Sequence, residues 1–176
     1  MRTIFLILFL ITALSSCDDG DIIVTTFDFD EIDLKQCGTL GDYVFFKINN
    51  ENRETLSLRL QVSDSFLYKE NIFQYNLNGS TNVAHYRTYD GEIPESYFCS
   101  NIPSESPIIK RNYTSSDGIV KINTVITDTI VTGSGQNIDS TFVYTAFFEL
   151  HNLKMVSDND TVIQELLELG SVNNTH

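Results

Sequence analysis

The chain has 176 residues and carries 24 Asp and Glu against 11 Lys and Arg, a formal net charge of −13, with 41% hydrophobic residues, 11% aromatic residues and no Trp. That length suits one domain, or one domain with a tail, and 8 Tyr with 12 Phe supply enough apolar area to exclude intrinsic disorder. The acid excess repels phosphate backbones and anionic headgroups, which excludes nucleic-acid binding through a basic groove and polybasic membrane docking.

A short basic start, Met1-Arg2-Thr3, leads into the uninterrupted apolar run Ile4 to Ile11 and then Thr12-Ala13-Leu14-Ser15-Ser16-Cys17. This is a secretory signal layout. The run is well short of the roughly 20 apolar residues that a spanning helix needs. Leu14-Ser15-Ser16-Cys17 resembles the bacterial lipobox, which implies cleavage before Cys17 and an acylated N-terminal Cys17 as the lipid attachment point. An ordinary signal peptide with a chance Cys is the competing reading. Several acyl chains, at about 0.8 kcal/mol per buried methylene, make a stable anchor where one is marginal. Loss of residues 1–16 removes Arg2 and no acid, so the basic count falls from 11 to 10 against 24 acids and the net charge becomes −14. Asp18-Asp19-Gly20-Asp21 reads as a solvated, self-repelling tether, and it also resembles the acidic export tract of surface-exposed flavobacterial lipoproteins.

Beyond the tether the dominant period is two. Ile22 to Phe29 is a β-branched and aromatic run, and Tyr43 to Ile48 is another, closed by the turn cluster Asn49-Asn50-Glu51-Asn52. Leu56, Leu58, Leu60 and Val62 alternate with Ser57, Arg59 and Gln61, the pattern of a half-buried strand with its polar face outward. Asn71 to Leu77 ends in the turn signal Asn78-Gly79, and Val83 to Tyr89 ends in Asp90-Gly91. Pro94, Pro103 and Pro107 all fall between Asp90 and Gly118, which marks an extended loop or edge segment, since proline removes ladder donors. Gly118 precedes Ile119 to Val131, and Gly133 to Asn137 separates that run from Thr141 to Leu153; these two long strands should pair antiparallel. Asp160 to Gly170 fits a helix, with Asp160 as cap and Gly170 as stop, yet the all-β context favours a final strand.

Cys37 and Cys99 remain once Cys17 is assigned to lipid. A signal-bearing chain matures in an oxidising compartment, so this even pair reads as a disulfide that ties down the proline-rich loop; two buried free thiols are the alternative. Short strands at sandwich-like spacing with no βαβ alternation predict an all-β fold, an antiparallel β-sandwich of immunoglobulin-like or jelly-roll-like type. The expected organisation is a cleaved lipoprotein signal peptide over 1–16, the lipidated Cys and acidic tether over 17–21, and a β-sandwich domain over 22–176.

The lipobox with its acidic tract, Phe98-Cys99-Ser100-Asn101-Ile102-Pro103 with Pro107 soon after, Gly118 to Thr124, and the closing Leu169-Gly170 together resemble an uncharacterised flavobacterial (Bacteroidetes-type) outer-membrane lipoprotein family. The resemblance supports the disulfide and the β-sandwich and implies no activity. Asp128-Thr129-Ile130, Asp139-Ser140-Thr141 and Asp160-Thr161-Val162 also resemble the O-glycosylation tripeptide of exported proteins in that group, which implies Thr129, Ser140 and Thr161 as acceptors; plain turn and strand residues are the competing reading.

Catalytic signals are absent from the sequence. There is no nucleophile elbow, no His-Glu-x-x-His, no phosphate-cradling loop and no dinucleotide fingerprint. His85 and His151 sit within predicted strands, and His176 is terminal. Asp28, Asp30, Glu31 and Asp33 read as a solvated face, and neither they nor Asp158-Asn159-Asp160 has the spacing of an EF-hand. No metal and no cofactor is expected. The leading functional expectation is a non-catalytic binding or adhesion module, lipid-anchored in the outer membrane and facing the cell surface, or else the periplasm. Such a module should expose Tyr or Phe to a carbohydrate or envelope-protein partner. The alternatives are a structural or assembly subunit of an envelope complex, and a hydrolase with scattered catalytic carboxylates.

Overall fold

A computed structural model describes residues 27, 29–100, 105–134, 137–158 and 160–175. Eight antiparallel strands follow in chain order: β1 (Lys35–Thr39), β2 (Asp42–Asn49), β3 (Glu54–Leu60), β4 (Asn71–Asn76), β5 (Asn82–Tyr89), β6 (Ile109–Ser134), β7 (Asn137–Val156) and β8 (Thr161–Thr175). The only helices among the described residues are a 3-10 turn at Phe66–Tyr68 and the one-turn α1 (Ser96–Cys99). The fold is an all-β antiparallel sandwich.

One continuous sheet supplies both layers, in the order β1-β2-β3-β5-β6-β7-β8 with β4 also on β6. The start of β6 pairs with β5 (His85↔Thr114), whereas its middle pairs with β4 (Asn71↔Thr124 to Asn76↔Ile119). Between these stretches β6 slips register twice against β7, at Ser115/Asp117 and Asp117/Ile119. Bulges bend a strand and sharpen its twist. Gly118 makes this one possible: its φ is +134°, and a Cβ there would lie 3.2 Å from the Leu153 Cα. Gly118 thus lies inside the strand rather than ahead of it.

An aromatic cluster fills the interior. Phe45 of β2 meets Phe148 of β7 at 4.4 Å between ring centroids, and Phe66 from the 3-10 turn lies 4.8 Å from Tyr43 and 6.2 Å from Phe148. Thr124 donates its hydroxyl to the Phe66 carbonyl at 2.7 Å, which fixes the turn in the core. The far edges of the sheet also approach each other, since Gln36 of β1 donates to Asn174 of β8 at 2.6 Å.

Tertiary context decides several local features. The alternation in β3 holds for Leu56, Leu58 and Leu60, but Thr55 and Ser57 on the supposedly polar face are buried too. The segment 91–100 covers that face: Phe98 stacks on Phe46 at 4.6 Å, Tyr97 meets Tyr89 at 5.4 Å, and Ile93 is buried. A disulfide joins Cys37 in β1 to Cys99 at the end of α1, with the Cα atoms 5.7 Å apart. The turn at Asn78-Gly79 joins no hairpin, because β4 pairs with β6 and not with β5. Asn78 instead gathers the backbone N–H groups of Ser80, Thr81 and Asn82 on its side-chain oxygen, and so carries the chain between layers. The C-terminal segment is the final strand that the all-β context favoured, not the capped helix, and Gly170 lies within it at φ +119°. Phe27 and Phe29 belong to no strand, and residues 22–26 lie outside the described residues.

Candidate functional site

The outer face of the β4-β6-β7-β8 layer is covered by no other element among the described residues. Strand alternation puts Val120, Ile122, Ala146, Phe148 and Leu150 inside, all essentially unexposed, and turns Lys121, Asn123, Phe147, Glu149 and His151 outward. The register then sets these residues in rows across four strands. Gln74, Lys121, Glu149 and Glu168 form one row; Ile72, Asn123, Phe147 and Ser171 form the row above it; and Asn76, Ile119, His151 and Leu166 form the row below. An open cleft of about 480 Å³ lies over the first two rows, lined by Ile72, Lys121, Asn123, Phe147, Glu149 and Glu168.

The cleft combines an apolar platform with charged groups. Phe147 is 44% exposed and Ile72 55% exposed, although both are large and apolar. Beside them Glu149 Oε2 lies 2.9 Å from His151 Nε2 and 3.4 Å from Lys121 Nζ. The hydrogen bond from His151, assisted by Lys121, holds the Glu149 carboxyl below the usual carboxylate range. Glu149 is therefore ionised at neutral pH and keeps both neighbours in place. Glu168 adds a second, exposed carboxylate, and Asn123 and Ser171 add groups that both donate and accept. A cleft of about 460 Å³ beside β1, lined by Leu40, Tyr43, Leu67 and Tyr68, contains no charged side chain.

Other residues singled out in the sequence are dispersed. Cys17, Asp28, Asn159 and His176 lie outside the described residues. Thr129 and Ser140 are exposed on the β6–β7 hairpin, each donating its backbone N–H to the preceding Asp side chain at 2.7 and 2.9 Å, and Thr161 opens β8. Asp30 and Asp33 face Lys47, a buried cation whose Nζ donates to the Phe29 carbonyl at 2.8 Å. Burial lowers the Lys47 pKa and these two acids oppose that shift. His85 bonds Thr114 through Nδ1 at 3.1 Å, away from the cleft. Among the described residues no group of three or more His, Cys, Asp or Glu side chains could hold a metal ion, and no helix is long and apolar enough to cross a membrane.

Lys121, Phe147, Glu149 and Glu168 are the residues that reading the sequence missed. The signal was present in the outward alternation of two strands already expected to pair, but only the register places Lys121 against Glu149. Comparison with protein-family models, curated proteins and solved structures gives no match.

Proposed function

We propose that the chain is a non-catalytic binding module of the bacterial envelope. In this reading it is held by lipid on Cys17 in the outer membrane, displayed at the cell surface, and engages its partner on the outer face of β4, β6, β7 and β8. Phe147 carries the reading: a phenyl ring 44% exposed, lining one cleft with Ile72 across Asn123, at the edge of a charged row. A sugar ring presents an apolar C–H face and a rim of hydroxyls, which suits Phe147 below and Lys121, Asn123 and Glu168 at the sides. A hydrolase using Glu149 and Glu168 would need one carboxyl to hold a proton near neutral pH, and on Glu149 both His151 and Lys121 act in the opposite direction.

Binding of the full chain in detergent to a glycan array, repeated with Phe147→Ala, tests the site. Loss of about tenfold or more, equivalent to about 1.4 kcal/mol, is expected with an unchanged melting temperature. A Phe147→Ala chain that retains the wild-type glycan profile and affinity overturns the assignment of this face. Protease shaving of intact cells tests display: release of the domain is the expected result, and protection places it on the periplasmic side.

A further inference from the structure

Three polar side chains that line the cleft are uncommitted. Lys121 and His151 both lie against Glu149, at 3.4 and 2.9 Å, so those three groups satisfy one another. The side chains of Glu168, Asn123 and Ser171 make no hydrogen bond and no ion pair with another described residue. All three border Phe147. The register sets Asn123 of β6 and Ser171 of β8 on either side of it, and sets Glu168 opposite Glu149, the next outward residue along β7. Diagonal neighbours of this kind have backbones roughly 7–8 Å apart, within reach of an aromatic ring or a long side chain. Glu168 is thus an exposed carboxylate at the rim of an exposed phenyl ring. Of the charged residues lining the cleft it is the one without a counter-charge among the described residues, in a chain of net charge −13.

The chemistry of these groups names a ligand. Asn123 and Ser171 each donate and accept, which matches sugar hydroxyls. A carboxylate only accepts, and it bonds most strongly to a donor that is itself charged. The face of an aromatic ring also attracts a cation within about 6 Å of its centroid. An ammonium held between Glu168 and Phe147 meets both conditions. We propose that the cleft selects glycans bearing a free ammonium group, that is, amino sugars without an N-acetyl cap; this rests on the reading of the cleft as a glycan site. The apolar C–H face of the sugar lies on Phe147, its ammonium donates to Glu168, and its hydroxyls bond Asn123 and Ser171. An N-acetyl cap removes the positive charge, and an acidic sugar is repelled by Glu168. A lysine side chain carries an ammonium too, but its methylene stem has no hydroxyls and leaves Asn123 and Ser171 unpartnered. An exposed ion pair and an exposed cation–π contact are each worth a few-fold, so the preference is on the order of tenfold.

Calorimetric titration of the full chain in detergent with trimers of glucosamine and of N-acetylglucosamine tests this. A pH of about 6 keeps the sugar amine protonated, and ionic strength of about 0.15 M, with a Debye length of about 8 Å, screens the distant acids. The glucosamine trimer is expected to bind on the order of tenfold more tightly. Glu168→Gln should remove that preference, whereas Glu92→Gln, which deletes one exposed acid far from the cleft residues in sequence, should keep it. Unchanged melting temperatures show that both variants are folded. A preference that survives Glu168→Gln, or that Glu92→Gln lowers equally, reports general attraction to an acidic chain and overturns the proposal. Equal affinity for the two trimers, lost for both in Phe147→Ala, overturns the ammonium selectivity alone and leaves the glycan reading standing. Absence of binding to either trimer overturns the proposal as well; a different array glycan that needs Phe147 would then preserve the underlying reading, and none would end both. Trilysine that binds as tightly as the amino sugar, with the same dependence on Phe147 and Glu168, assigns the cleft to a protein partner instead.

Discussion

Replacing both bridged cysteines, Cys37→Ser with Cys99→Ser, should lower stability and also lift one particular segment. The bridge spans 62 residues, and on the chain-entropy relation closing such a loop removes about 4 kcal/mol of freedom from the unfolded state. For a domain of this size that corresponds to a fall of about 10 °C in melting temperature. The folded state responds unevenly. Ile93 stays pinned, since its N–H donates to Asn50 Oδ1 at 2.8 Å and its carbonyl accepts from Asn50 Nδ2 at 3.3 Å. The helical turn is held by the bridge, the Phe46–Phe98 stack, the Tyr89–Tyr97 contact and the exposed Lys35–Glu95 ion pair. Urea unfolding gives the stability change, and hydrogen exchange should show Phe98, Cys99 and Ser100 losing protection while Ile93 retains it. A double variant that melts within about 2 °C of wild type, with residues 96–100 still protected, refutes the reasoning.

Two further outcomes follow from single residues. Burial, with Arg87 adding to it, pushes the His85 imidazole down to about 4 from an ordinary 6.5. The unfolded chain thus binds the extra proton first, and stability should fall by up to about 3 kcal/mol as the pH drops from 6.5 toward 4; His85→Gln should flatten urea midpoints across that window, and an unaltered slope in the variant rules the assignment out. Gly170→Ala places a Cβ at φ +119° and 3.3 Å from the Leu34 Cβ, so a loss of about 1–3 kcal/mol is expected by chemical denaturation, and a neutral result would mean that the β8 backbone relaxes.

Local pattern carried much of the fold into view. The period-two runs of β2, β3 and β5, and the antiparallel β6–β7 pair, are legible because one face of each is buried and alternation records it. What failed were the points where a distant segment decides. Ser57 reads as solvent-facing, but residues 91–100 fold over it. Gly118 and Gly170 read as element ends, yet glycine at a bulge and glycine at a terminus look alike in sequence. The cleft was the least legible feature. Ile72, Lys121, Glu149 and Glu168 come from four strands spread over almost 100 residues, and a one-residue slip would turn any of them into the core. His151 reads as an ordinary surface histidine, although alternation along β7 alone puts it on the same face as Glu149, two residues away, which it meets at 2.9 Å.

The disulfide also determines how a pull on the N-terminal side would enter the domain. Force would first meet side-chain contacts, Phe27 on Tyr86 at 5.0 Å and the Phe29 carbonyl on Lys47, and would then peel β1 from Lys35↔Phe46 inward. Peeling stops two residues later, where Cys37 is covalently tied to Cys99. From that point the load bypasses the rest of the β1–β2 ladder and is shared with α1, which packs on β2 through Phe98 and Phe46. The bridge is thus a mechanical stop, placed within a few residues of where the domain, pulled from that side, would otherwise begin to unzip.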